Sequence, residues 1–197
     1  MTDTTTTTST GWLAGIAASA VIGMAATTIQ IVERIALAED PSAGLLCDIN
    51  GTFACGSVLT AWQSSVFGPI PNSVIGLTVF TVMLAVSGAA LLGSRLAKPA
   101  WGVATFLAGF MAAFTVWFLA QTTFAIARIC LYCLVIGTMV TVVNAAWWRV
   151  GYAAGFLDGN RPLRAAGALV RGGTDLLLWT GLAAIVAAMM VAGFALD

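Results

Sequence analysis

Five stretches of this chain, at residues 12–32, 72–93, 100–121, 129–148 and 175–196, stay apolar for about 20 residues each, the length a helix needs to cross the hydrocarbon of a bilayer. Inside lipid every backbone N–H and C=O must be satisfied within its own segment, so such runs fold as transmembrane helices. Of the 197 residues, 60% are hydrophobic and only 8% charged, against about 25% charged in an ordinary soluble domain. The chain reads as an all-α integral membrane protein in contact with membrane lipid. Its formal net charge is zero, and basic residues cluster only in one loop, which argues against nucleic acid as a partner. The absence of histidine removes Ser-His and Cys-His catalysis and most catalytic zinc arrangements. Cysteine is left as the one conspicuous reactive group, at Cys47, Cys55, Cys130 and Cys133.

Residues 1–11 are polar and rich in threonine, without Lys or Arg, and are expected to be a disordered cytoplasmic N-terminus. The run at 12–32 lacks the basic leader of a signal peptide and exceeds the about 7–15 apolar residues of its core, so it reads as a first spanning helix, extended by a polar turn through Glu33 and Arg34. A long loop lies within residues 33–71. Inside it CDINGTFAC places Cys47 and Cys55 on either side of Asn50-Gly51, a strong turn signal that lets the chain double back and bring the thiols together. After Cys55, the residues Val58, Leu59, Trp62 and Val66 recur at helical spacing while Gln63, Ser64 and Ser65 do not, which predicts a short amphipathic helix capping the membrane face. Gly68, Pro69 and Pro71 then break the chain before the second span.

The third span carries Phe110, Phe114, Trp117, Phe118 and Gln121 near one face. Such a stripe reads first as lipid contact or packing and second as a ligand wall. The fourth begins with RICLYC, and two cysteines three apart lie on one face of a helix with about 4.5 Å of rise between them. That spacing suits a redox pair. A helix N-terminus and Arg128 should both favour the Cys130 thiolate. Residues 149–174 form a basic cytoplasmic loop, and 175–197 a fifth, almost wholly apolar helix that serves as an anchor.

Charge fixes an expected orientation. With a cytoplasmic N-terminus, Arg95, Lys98, Arg149, Arg161, Arg164 and Arg171 face the cytoplasm and only Arg34 and Arg128 lie outside, as the positive-inside rule prefers. The same topology gathers all four cysteines on the outer side, where disulfides persist.

Three readings of the cysteines compete. Four thiolates could hold a structural zinc ion. Two static disulfides could brace a non-enzymatic membrane subunit, although the spans show no charge that would mark an ion or substrate path. In the third reading one pair exchanges with a soluble thiol protein and the other passes two electrons to an acceptor dissolved in the bilayer, for which an uncharged quinone is suited.

The order of features narrows the choice. A C-x7-C pair in the first outer loop, an amphipathic stretch, IPNSVIG opening the second span and C-x2-C at the head of the fourth resemble the vitamin K epoxide reductase family, over residues 12–148. CDINGTFACGSVLTAWQSSVFG is similar to its bacterial branch. The resemblance implies a four-helix transmembrane bundle around a quinone (menaquinone or ubiquinone), a peripheral fifth helix, no metal, and residence in a bacterial inner (plasma) membrane. It implies that Cys47 and Cys55 are the shuttle pair, Cys47 exchanging with an extracytoplasmic thioredoxin-fold disulfide oxidant and Cys55 reaching to Cys130. Cys133 would face the quinone, and Asn72 would hydrogen-bond a quinone oxygen or cap the second span. Many bacterial members continue into a thioredoxin-like domain, so a chain stopping at Asp197 implies a separate partner. Two positions depart from the family, a Ser that falls on Ala61 and a Tyr that falls on Gly137, and both losses weigh against epoxide chemistry. The implied activity is thiol oxidation that supports disulfide formation in exported proteins, with reduction of vitamin K or its epoxide as the alternative.

Overall fold

The computed structural model describes residues 4–49, 51–159 and 161–195. Among them the α-helices are α1 Thr4–Glu39, α2 Cys55–Thr60, α3 Asn72–Leu91, α4 Lys98–Gln121, α5 Leu131–Ala153, α6 Arg161–Arg171 and α7 Thr174–Ala195. No strand forms among these residues, only two isolated β-bridges. α1, α3, α4 and α5 are each long and apolar enough to cross a bilayer, and α6 with α7, bent by 90° at their junction, supplies a fifth candidate.

α1 is the pillar of the bundle. It packs along both α3 and α5, α4 packs on α5, and α3 meets α4 to close the ring. Close approach is set by small residues, as between membrane helices generally. At Gly23 a Cβ would collide with the Phe80 ring, and at Gly76 it would stand 3.1 Å from Thr27 Cγ2, so α1 and α3 can touch only because these positions are glycine. Ile16, Phe80, Met83, Ala104 and Trp147 fill the centre. Asn144 bridges α5 to α4, its Nδ2 donating to the Ala108 carbonyl at 3.0 Å, and Trp147 Nε1 donates to Thr105 Oγ1 at 2.9 Å. In lipid such bonds satisfy groups that have no water to turn to.

α1 opens at Thr4, inside the threonine-rich segment expected to be disordered; extending a helix already nucleated by the apolar run costs little even for weak helix formers. Residues 1–3 lie outside the described residues. The expected basic loop is largely helical. α5 runs on to Ala153, and α6 has one strongly polar and one apolar face before Gly172 and Gly173 (φ 71°) turn the chain into α7. Pro162 in its first turn suits a helix start.

The spans do contain buried charge, contrary to the sequence expectation: Glu33 on α1 is 7% exposed and Asp175 on α7 fully buried. Asp175 accepts two hydrogen bonds from Arg149, at 2.9 and 2.7 Å, and the Arg149 guanidinium also lies 5.3 Å from the centre of the Trp12 ring. Arg149 therefore ties α1, α5 and α7 together. α7 also meets α4 and α5, with Trp179 edge-on to Trp148 at 5.4 Å between ring centres, and beside these contacts lies an apolar cavity of about 390 Å³ lined by Gly137, Thr141, Trp179 and Ala183.

Candidate functional site

Four sulfurs gather at one end of the bundle. α1 projects beyond the apolar core there, and the loop it feeds folds back over the helix ends. Cys47 and Cys55 are joined by a disulfide, with 5.7 Å between their Cα atoms, and both are buried. The turn expected at Asn50-Gly51 falls partly outside the described residues, Asn50 being one that is not described. Its flanks are paired, with Ile49 N–H donating to the Phe53 carbonyl at 3.0 Å. Asp48 Oδ1 accepts from Gly56 N–H at 3.0 Å, which fixes the start of α2 and so the position of Cys55.

The second pair reaches this loop by an unusual route. α4 ends in a π turn, Thr122–Ile126, followed by Ala127 in the left-handed region at φ 54°. That reversal delivers residues 128–130 as extended chain, which pairs with the loop: Ile129 N–H donates to the Thr52 carbonyl at 2.8 Å, and Ala54 N–H to the Ile129 carbonyl at 3.1 Å. Because Ile129 is held this way it cannot be helical. Cys130 is accordingly extended (φ −103°, ψ 116°) and precedes α5, while Cys133 lies in its first turn. The expectation that both cysteines share one helical face is corrected here. The bridge has a chemical consequence, for it sets Cys130 Sγ 3.3 Å from Cys55 Sγ.

Gln30, on α1, donates its Nε2–H groups toward both inner sulfurs, at 3.4 Å to Cys130 and 3.1 Å to Cys133. The Cys130 thiol is held below its ordinary pKa, first by a hydrogen bond with Cys133, against the opposing effect of burial, with the Gln30 amide and the first backbone N–H groups of α5 adding to it. Arg128, expected to help, instead donates to its neighbour's carbonyl, Ala127 O, at 2.6 Å.

Cys133 borders a cavity of about 60 Å³ together with Gln30, Arg34, Asn72, Phe114 and Phe118. Asn72 does not cap its own helix. It ties down the cap instead, Nδ2 donating to the Gln63 carbonyl at 2.6 Å and Oδ1 accepting from Val66 N–H at 3.3 Å. The cap itself is α2 followed by a 3-10 turn, Trp62–Ser65. Val58 and Leu59 are buried as expected, but Trp62 is 68% exposed whereas Gln63 and Ser64 are buried. Ser64 turns inward because Arg34 donates to its Oγ at 2.7 Å. Of the aromatic stripe, Phe114 and Phe118 form cavity wall, and Phe67 from the loop packs on Phe114 with 5.8 Å between ring centres.

Two polar residues of α1 escaped the sequence reading. From sequence alone Gln30 has no role and Glu33 only a place in a polar turn, yet Glu33 Oε1 accepts from Leu46 N–H and from Tyr132 O–H, both at 3.1 Å, and its Oε2 lies 3.8 Å from Cys47 Sγ. Their signal was the spacing of Gln30, Glu33 and Arg34 at i, i+3 and i+4, which places them on one face of an otherwise apolar helix.

The Cys47, Cys55 and Cys130 sulfurs lie within 4.8 Å of one another. Two of them already share a bond, so the cluster is set out for thiol–disulfide exchange, in which a thiolate attacks one sulfur of a disulfide. No curated protein matches the chain. The sequence model of the Vitamin K epoxide reductase family matches residues 14–148, which spans all four cysteines and the four-helix bundle. On that match and this geometry the protein, a membrane thiol oxidoreductase, belongs to the vitamin K epoxide reductase family.

Proposed function

We propose that the protein oxidises the dithiol of an extracytoplasmic thioredoxin-fold partner and delivers the two electrons to a membrane quinone, so sustaining disulfide formation in exported proteins of a bacterial plasma membrane system. The observation that carries this is the asymmetry of the inner pair: Cys130 Sγ stands 3.3 Å from Cys55 Sγ, while Cys133 borders the cavity. One end of the pair meets the shuttle disulfide and the other meets a place for an acceptor. Static disulfides would have no use for a contact between pairs.

The partner's thiolate attacks Cys47, and its second thiol completes the exchange, leaving the partner oxidised and Cys47 and Cys55 reduced. Cys55 then attacks Cys130 of an inner disulfide, Cys133 leaving as thiolate. Cys47 closes on Cys55, releasing Cys130. The inner pair now holds the two electrons, which is the arrangement present here, with the outer pair bonded and Cys130 and Cys133 free. A quinone supplies the two-electron acceptor. Apolar walls with few polar groups suit its uncharged ring, and Asn72, with one Nδ2–H on Gln63 O, retains a second for a carbonyl oxygen. Seating a ring requires the wall to part, and the side chains that can yield are Phe114, Phe118 and Phe67.

Epoxide reduction is less well supported. Ala61 and Gly137 bring no hydroxyl, and even a Cβ at Gly137 would stand 3.1 Å from Thr115 Cγ2 and 3.3 Å from Leu119 Cδ1, so any side chain there needs both neighbours to shift. By this reading residues 12–148 are the redox core with 33–71 as its outer loop, 149–174 the basic cytoplasmic segment and 175–197 an anchor. The purified protein, given a reduced dithiol protein and a menaquinone or ubiquinone analogue, should form quinol and consume thiols in a ratio of one to two. Thiol loss without quinol, or neither, overturns the proposal.

A further inference from the structure

The exchange steps leave the Cys47 proton unassigned. When Cys47 attacks the Cys55–Cys130 mixed disulfide it must do so as thiolate, yet Cys47 is only 2% exposed, so a neighbouring side chain is better placed than bulk solvent to take the proton. We infer that Glu33 is the general base that receives the Cys47 thiol proton as the shuttle disulfide closes, an assignment that rests on the relay proposed above.

The placement is specific. A carboxylate has two oxygens to satisfy, and here both neutral donors, Leu46 N–H and Tyr132 O–H, fall on Oε1 at 3.1 Å. Oε2 is left turned toward Cys47 Sγ at 3.8 Å. That separation is seen with Cys47 in its disulfide, where the sulfur carries no hydrogen to donate. The other charged groups nearby are engaged elsewhere. Arg34, next to Glu33 on α1, donates to Ser64 and Ser65, and Asp48 on the loop accepts from Gly56 N–H. From α5 only the phenol of Tyr132 reaches the carboxylate, with Cys130 beyond it facing Cys55.

The step balances within the protein. The Cys47 Sγ–H bond breaks, its proton going to Glu33 Oε2. The sulfur's electron pair forms the Cys47–Cys55 bond, and the Cys55–Cys130 bonding pair leaves on Cys130, where the Gln30 amide donates toward the charge. Cys47 and Cys55 are oxidised together and Cys130 is reduced. In the next cycle, when the partner's second thiol displaces Cys47, Glu33 returns the proton to the departing sulfur. The Cys47 proton thus passes back and forth between that sulfur and Glu33.

Glu33→Gln separates this role from a purely structural one. An amide oxygen still accepts from Leu46 and Tyr132, but it cannot take a proton. In the full-length protein in nanodiscs, with a reduced dithiol protein and a quinone analogue, acid-quenched samples are alkylated and the Cys55–Cys130 disulfide is mapped by mass spectrometry. Glu33→Gln should turn over about 100-fold slower than the parent at about pH 6.5, with that mixed disulfide accumulating. The deficit should shrink to under about tenfold near pH 9, where a thiol ionises unaided. Glu33→Asp should recover part of the low-pH rate. A Glu33→Gln profile that parallels the parent, or a uniform loss at every pH without accumulation, overturns the assignment. Cys47→Ser serves as the reference, because it must trap Cys55–Cys130 if the relay operates at all. Trapping there without accumulation in Glu33→Gln removes only the role of Glu33, whereas no trapping in Cys47→Ser removes the relay itself.

Discussion

At the scale of single residues the site turns on how the two inner cysteines are made unequal. Cys130 precedes α5 and is offered to Cys55, and its thiol is held below the ordinary range chiefly by Cys133 and secondarily by Gln30. A depressed thiol is a better leaving group, which in the proposed relay would favour the exchange that closes the Cys47–Cys55 disulfide. With the shuttle disulfide closed, titration followed by thiolate ultraviolet absorbance should place Cys130 below a free thiol, whose pKa is about 8.5. Cys133→Ala should raise its titration more than Gln30→Leu does. The reverse order would mean that the amide, not the partner thiol, governs Cys130. The sign for stability follows from the folded-state value being the lower: stabilisation is full above the ordinary thiol pKa and is lost as pH falls through the depressed one. The two cysteine pairs were legible in the sequence because their spacing is short-range information, whereas Asn72 was named only through the resemblance, and the structure bonds it to Gln63 and Val66. Gln30 and Glu33 were not, since a polar residue in an apolar helix declares its role only when its partners are placed beside it: for Gln30 the Cys130 and Cys133 sulfurs about a hundred positions away, and for Glu33 the Tyr132 hydroxyl and the folded-back loop that carries Cys47.

At the scale of elements, the apolar runs were legible to within a few residues, because a length matched to the bilayer leaves little freedom, except the first, whose helix extends well past both ends of its run. What was not legible were the places where a tertiary contact overrides local preference. Ile129 has a sequence fit for a helix start, and it is extended because Thr52 and Ala54 take up its backbone groups. Gln63 and Ser64 lie inside because Asn72 and Arg34 bind there, and Trp62 is left outside. α6 was hidden within a stretch read only for its charge. The Arg149–Asp175 clamp is the chief polar fastening of α7, with Asp175 fully buried and Arg149 22% exposed. Removing one partner strands a charge, and for a pair with one member partly wet the cost should be about 2 kcal/mol. Asp175→Ala should therefore loosen α7, seen as faster protease cleavage at Gly172-Gly173 and a lower thermal midpoint. Arg149→Met with Asp175→Leu should recover most of the loss, since apolar groups need no counter-charge. A single variant as resistant as the parent would mean that α7 is held by packing alone.

At the scale of the whole molecule the remaining question is which way the bundle faces, and it decides which thiol proteins can reach Cys47. The four cysteines share one end of the bundle, and the connection between α3 and α4, like the segment after α5, must lie at the other because each helix crosses once. Six of the eight basic residues, Arg95, Lys98, Arg149, Arg161, Arg164 and Arg171, fall at that second end, and such an excess is retained on the cytoplasmic side. The native cysteines are poor reporters, being buried. Two exposed leucines mark the ends instead: Leu46, 83% exposed beside Cys47, and Leu92, 89% exposed just past α3. With the native cysteines replaced by alanine, Leu46→Cys should react with a membrane-impermeant maleimide in cells whose plasma membrane is intact, and Leu92→Cys only after that membrane is opened. The opposite pattern would place the shuttle disulfide in the reducing cytoplasm. There a thiol oxidase would work against the glutathione pool, and electron flow from the inner pair back to Cys47 and Cys55 would become the more natural direction.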